Sequence, residues 1–139
     1  MGNKIYFEIP GEPVAKARPR VTKQGITYTP KKTENYENLV KLCYMQQNQG
    51  DKLEGQLKAN IKAFFQIPKS VSKKKYIAME KGKIRPSKKP DVDNIIKSVL
   101  DSLNGLAYRD DSQVVCINAE KFYSDNPRVE VEISEMEVS

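Results

Sequence analysis

Residues 56–68 read QLKANIKAFFQIP, and the alternation in this stretch decides the fold class. Leu57, Ala59, Ile61, Ala63, Phe65 and Ile67 fall on one side of an extended chain, and Lys58, Asn60, Lys62 and Gln66 on the other. A period of two with one apolar side marks a half-buried β-strand. KIYFEIP (4–10) repeats the pattern with Ile5, Phe7 and Ile9. Segments at about 113–122 and 128–136 make two more strands, separated by the turn signal Ser124-Asp125-Asn126-Pro127.

Between the strands the period changes. Thr29-Pro30 reads as an N-cap followed by proline at the first helical position. Tyr36, Leu39, Val40, Cys43 and Tyr44 then recur at helical spacing, predicting a helix over about 30–48. Residues 70–80 suggest a short basic helix, and 81–90 a Lys/Pro-rich connection. A third helix is predicted over about 92–104, ending at the C-cap signal Asn104-Gly105. GEPVAKARPR, after the first strand, reads as an extended loop. The order β-α-β-α-α-β-β predicts an α+β fold: one domain over residues 1–139, a mixed sheet of about four strands, and helices packed on one face.

The 139 residues include 24 Lys plus Arg against 18 Asp plus Glu, a formal net charge of +6. That excess favours a polyanionic partner. The charge is also segregated. Nine basic residues and a single acid lie between Lys69 and Lys89, while Glu130, Glu132, Glu135 and Glu137 crowd the C-terminal end. Cys43 and Cys116 sit inside apolar patterns, and two thiols make no disulfide framework, so buried reduced cysteines are expected. The chain has no histidine, which excludes histidine zinc sites, histidine bases and a Ser-His-Asp triad together. No signal peptide or spanning run is evident, so the default location is the cytoplasm.

Against this basic background stands KKPDVDNIIKSVLDSLNGLAYRDD (88–111), with five aspartates in one stretch. On a helical wheel Val92, Ile95, Ile96, Val99, Leu100 and Leu103 share one arc of roughly 140°, while Asp93, Asn94, Lys97 and Asp101 share an opposite arc of roughly 100°. Each acid has a plain structural explanation. Asp91 suits a helix N-cap. Asp93 to Lys97 and Lys97 to Asp101 suit i,i+4 surface pairs, and Asp110-Asp111 suits a turn leading into a strand. A single functional explanation covers them jointly. Asp91, Asp93 and Asp111, with Asp110 as a fourth candidate, would converge on one divalent cation. Carboxylates without thiolate or imidazole are hard oxygen ligands that select Mg²⁺, with Mn²⁺ as substitute. Magnesium so held suits phosphodiester hydrolysis, with the basic segments neutralising backbone phosphates.

KPDVDNIIKSVLDSLNG, then DDSQV, then the lysine of INAEK, resemble the RusA family of Holliday junction resolvases. The shared pattern is D-x-D-N-x-x-K, then D-x-L-N, then D-D-x-Q-V, and every position is filled here. GEPVAKARPR and YTPKKTENYE also look like the basic loop and helix start of many members, so the resemblance runs from about residue 5 to about 136. It implies a small homodimeric, Mg²⁺-dependent endonuclease that nicks two strands of a four-way DNA junction symmetrically, in recombination and repair. Carried over by position, Asp91, Asp93 and Asp111 match the essential carboxylates and Lys97 the catalytic lysine. Asn94, Asp101, Gln113 and Lys121 match supporting positions. Charge nominates Lys16, Arg18, Arg20, Lys73, Lys74, Lys75, Arg85, Lys88 and Lys89 for DNA contact, although Lys16, Arg18 and Arg20 could equally brace the acids. Two alternatives stay open: a non-catalytic DNA-binding module whose aspartates are caps, and a metal-dependent nuclease for other branched nucleic acids.

Overall fold

The computed structural model describes residues 2–17 and 19–138. Arg18, one of the residues nominated for DNA contact, lies outside the described residues. The elements run β1 (Lys4–Pro10), β2 (Arg20–Val21), β3 (Thr27–Tyr28), α1 (Lys31–Gln47), β4 (Leu57–Gln66), α2 (Lys73–Glu80), α3 (Val92–Ser102), a 3₁₀ turn (Asp111–Gln113), β5 (Val114–Ser124) and β6 (Arg128–Glu135).

Four strands form one mixed sheet in the order β1-β6-β4-β5. β4 is parallel to β5, whereas the β4–β6 and β6–β1 pairings of the same sheet are antiparallel. The parallel pair needs a crossover, and α2 and α3 supply it. Ile5, Phe7 and Ile9 of β1, Leu57, Ala59, Ile61, Ala63 and Phe65 of β4, and Val129, Val131 and Ile133 of β6 form a single apolar floor. Onto it pack Tyr36, Val40, Cys43 and Tyr44 of α1 and Ile95, Val99 and Leu100 of α3. The Phe7 and Tyr44 rings meet edge to face at 5.6 Å. Each fully buried side chain of this size contributes about 1.5–3 kcal/mol through removal of apolar surface from water.

The α+β architecture matches the sequence expectation, and four local readings need correction. GEPVAKARPR is not wholly loop, because Arg20-Val21 pairs with Thr27-Tyr28 in a small exposed hairpin. Two-residue strands are too short to carry a legible alternation. Pro30 itself holds the N-cap position of α1 and no side chain caps that end, so Thr29 is not the cap. The buried arc of α3 is turned relative to the wheel: Val92 is 37% exposed, while Ser98 and Ser102 are buried. The Ser102 hydroxyl bonds back to the Ser98 carbonyl at 2.6 Å, which lets a polar residue sit in that interior. Cys43 is buried as expected, but Cys116 is exposed. β5 lies at the sheet edge, so part of its apolar sequence meets no neighbour. No helix among the described residues is long and apolar enough to cross a membrane.

Candidate active site

The loop after α3 fixes the position of the Asp110-Asp111 pair. Leu103, Ala107 and Tyr108 are fully buried there, so the chain folds tightly under the C-terminal end of the helix. The last carbonyls of a helix lack intrahelical donors. The Tyr108 hydroxyl supplies one by donating to the Leu100 carbonyl. Burial first, then the nearby charges of Asp111, Asp101 and Asp110, push the Tyr108 pKa upward, keeping it a neutral donor. Gly105 turns the loop at φ +78° and its N–H donates to the Tyr108 carbonyl at 2.8 Å.

Beyond Tyr108 the chain is held by side-chain amides. The Gln113 carbonyl oxygen accepts from the N–H groups of Arg109 (2.9 Å) and Asp110 (3.1 Å), and its amide nitrogen donates to the Gly55 carbonyl at 3.1 Å. Asp110 accepts from Ser112 N–H at 3.0 Å, completing a capping box with Gln113. The Ser112 hydroxyl first, and then its N–H, hold the Asp110 carboxyl below its ordinary pKa. The Asn104 side chain accepts from the Asp111 N–H at 2.7 Å. The Asn of D-x-L-N and the Gln of D-D-x-Q-V therefore act as positioning residues for the acidic turn. Asn104 went unassigned in the sequence reading, although its motif position was the signal that could have found it.

These anchors leave the Asp111 carboxyl beside that of Asp101, at the C-terminal end of α3. Burial first, then the contact with Asp101 and the charge of Asp110, raise the Asp111 pKa. Two carboxylates in contact resist joint ionisation. The Lys16 ammonium lies 3.1 Å from Asp101 and 3.7 Å from Glu37, so it braces the acids. Its loop is tied to α1 by the Ala17 N–H, which donates to the Thr33 hydroxyl at 3.1 Å. Of the two readings left open for Lys16, the structure favours the brace.

The rest of the acidic set lies further along α3. Asp91 holds the N-cap position as expected, but its carboxylate accepts no capping hydrogen bond, so only its charge favours the helix N-terminus. Lys97 is exposed, and the pairs Asp93–Lys97 and Lys97–Asp101 do not close among the described residues. Asp93 and Asp101 are separated by about 12 Å along the helix axis, too far to ligate one small cation together. Among the described residues no three carboxyl or thiol side chains are gathered closely enough to hold a metal ion. The donor chemistry fits a hard divalent cation, and Asp101 with Asp111 already forms a carboxylate pair. The chain alone does not assemble Asp91, Asp93 and Asp111 around one point.

The basic residues divide in two. Lys73, Lys74 and Lys75 project from the exposed side of α2, and Arg20 and Lys89 are also exposed. Arg85 pairs with Glu120 at 2.9 Å and lies over the Phe122 ring at 4.4 Å. Lys88 lies 5.6 Å from the Phe65 ring, and its carbonyl accepts from the Lys121 ammonium, which is 5.1 Å from the same ring. Arg85, Lys88 and Lys121 thus have structural partners beside whatever else they contact. Asn94 is half-buried on α3.

The raised pKa of Asp111 has a signed consequence. Ionising a carboxyl whose folded-state pKa is raised opposes folding, and the penalty is absent at low pH where both states are protonated. It grows as pH rises through the titration and is complete above the raised value. Asp111→Asn should therefore melt at a higher temperature than the parent chain at pH 7, with the gap closing as pH approaches 4. A lower melting temperature at pH 7 would contradict the like-charge contact.

Comparison with known proteins adds a family to this geometry. The family model described as endodeoxyribonuclease RusA matches residues 10–134. The chain is 44% identical over 137 residues to an uncharacterized protein YqaN of Bacillus subtilis (strain 168), covering 95% of this chain and 96% of that protein. It is 41% identical over 49 residues to a crossover junction endodeoxyribonuclease rusA of Lactococcus phage r1t, covering 34% of this chain and 37% of the phage protein. The family match spans most of the residues just described, from the end of β1 to β6. The chain belongs to the endodeoxyribonuclease RusA family, the resolvases that its aspartate motifs resemble.

Proposed function

We propose that this chain is a divalent-metal-dependent endonuclease that resolves four-way DNA junctions by paired, symmetric phosphodiester hydrolysis, acting as a homodimer. The observation that carries the reading is the anchored acidic turn, in which Asn104 and Gln113 hold the backbone by its N–H groups and the Asp111 carboxyl stands beside that of Asp101. Structural caps and turns do not require such a contact. A divalent cation would relieve the repulsion.

Asp91, Asp93 and Asp111 carry the assignment as metal-holding and catalytic residues by motif position, and Asp101, too far from Asp93 to share one ion with it, stands beside Asp111 at the other end of the acidic row. Mg²⁺ or Mn²⁺ bound there would orient water and offset charge on the phosphoryl oxygens. Lys97 projects between the two ends of the acidic row, where its ammonium would meet the scissile phosphate. Lys16 pairs with the Asp101 carboxylate at 3.1 Å and would offset part of the charge of the acidic row. The exposed lysines of α2, with Arg20 and Lys89, would neutralise phosphates along the arms of the junction. A junction with two-fold symmetry presents two equivalent scissile phosphates, which an isologous dimer meets with two equivalent sites.

The direct test is cleavage of a synthetic four-way junction with and without Mg²⁺. Cleavage should require the metal, and Asp93→Asn and Asp111→Asn should each lower the rate at least about 100-fold while junction affinity is kept. Undiminished cleavage by both variants would remove the assignment. Equal cutting of flapped or plain duplex DNA would leave a metal-dependent nuclease without junction specificity. Binding should also weaken steeply with salt. Replacing Lys73, Lys74 and Lys75 by alanine should flatten the log-affinity against log-salt slope by about 2–3. An unchanged slope would exclude α2 from the DNA surface.

A further inference from the structure

The small hairpin of β2 and β3 exposes apolar side chains that the fold does not use. From Pro19 to Thr29 every residue is exposed except Thr22, including Val21 at 64%, Ile26 at 63% and Tyr28 at 46%. None of these three joins the core. The hairpin also carries Arg20 and Lys23, and no acid occurs between Pro13 and Thr33. An isolated two-stranded hairpin is marginal in water, yet this one has a fully bonded turn. The Thr22 N–H donates to the Ile26 carbonyl at 2.8 Å, and the Ile26 N–H donates to the Thr22 hydroxyl at 3.0 Å. Gly25 makes the bend at φ +83°.

Pairing shows which side chains act together. Arg20 lies opposite Tyr28, and Val21 opposite Thr27. Paired residues share a face and faces alternate along a strand, so Arg20, Tyr28 and Ile26 lie on one side of the ribbon and Val21 on the other. The root of the ribbon is pinned beside the acids. Ala17 before it is hydrogen-bonded to Thr33 after it, and the adjacent Lys16 is paired with Asp101. Tyr28 is five residues from Thr33, a span of at most about 18 Å. The ribbon is thereby held within one turn of duplex DNA, about 34 Å, of the acidic row.

We propose that this hairpin is the element by which the chain distinguishes a DNA branch point from plain duplex, which rests on the junction-cleaving reading for its substrate. Arg20 and Lys23 meet phosphates. The Tyr28–Ile26 side offers a phosphate chain nothing, but it suits the faces of bases. In continuous duplex those faces are covered by the neighbouring pairs. At a four-way crossover stacking is interrupted and they come open. Tyr28 then stacks on such a face and Ile26 packs beside it, as apolar side chains do at an unstacked base step. Stacking tolerates any base, so the hairpin selects shape and not sequence. The positive charge of 13–33, free of acids, and the deoxyribonuclease family of the chain make DNA the occupant of this surface, not a second protein.

Binding in EDTA tests this apart from cleavage. The double variant Ile26→Ala, Tyr28→Ala should bind a four-way junction at least about 10-fold more weakly than the parent, while affinity for a linear duplex of the same arm sequence stays within about twofold. Tyr28→Phe keeps the ring and should bind like the parent. 2-Aminopurine at the branch point should change its emission on binding the parent but not the double variant, and the same probe in mid-arm should respond to neither. Both variants should melt as the parent does, since the altered side chains lie outside the core. Junction preference retained by the double variant would overturn the proposal, as would an equal loss on junction and duplex. A parent chain that binds the two DNAs alike would overturn it too. Failure of the nuclease reading is seen separately, as absence of Mg²⁺-dependent cleavage by a parent whose branch-point binding still depends on Tyr28 and Ile26.

Discussion

The placing of the Asp111 carboxyl beside that of Asp101 is the constraint on which the acidic site depends. Left to themselves, two such groups would separate into water. Burying Tyr108 beneath the end of α3 prevents that, because its hydroxyl satisfies the Leu100 carbonyl and draws the following turn against the helix. Asn104 and Gln113 then fix the turn through its backbone N–H groups, while the Asp110 carboxylate accepts from the Ser112 N–H. Lys16 offsets part of the charge from a loop docked on α1.

The sheet gives this arrangement its rigidity and its polarity. β4 and β5 run parallel, so α3 must return the chain from the far end of β4 to the start of β5. The polar row of α3 therefore ends where β5 begins, at Asp111. The basic residues are sorted by the same geometry. Those crossing the β5 edge are tied to Glu120, Phe122 and Phe65, whereas the lysines of α2 remain exposed. Positive charge in one stretch of sequence thus serves two purposes, closing an edge and facing solvent.

Much of this was legible from the residues. The alternation of 56–68 and the wheel of 92–103 placed the main sheet strand and the acid-bearing helix within a residue or two of β4 and α3. The aspartates stood out because a basic chain has no compositional reason to cluster acids, and Lys97 through its place in the family motif. Other features depend on contacts between distant segments, which periodicity does not encode. The pairing of Asp111 with Asp101, and of Lys16 with both helices, exists only once α1, α3 and the acidic turn are assembled. Cys116 misled for a related reason: its apolar neighbours promise burial only if another strand lies beside it. The small hairpin of Arg20–Val21 and Thr27–Tyr28 is too short for any pattern to show.

Anomalous diffraction from crystals soaked in Mn²⁺ tests the central claim most directly, because it locates the cation without reference to activity. A manganese peak with an Asp111 carboxylate oxygen in its coordination shell is the predicted result. Manganese bound only at sites remote from Asp111, with the Asp101–Asp111 contact unchanged, would contradict it.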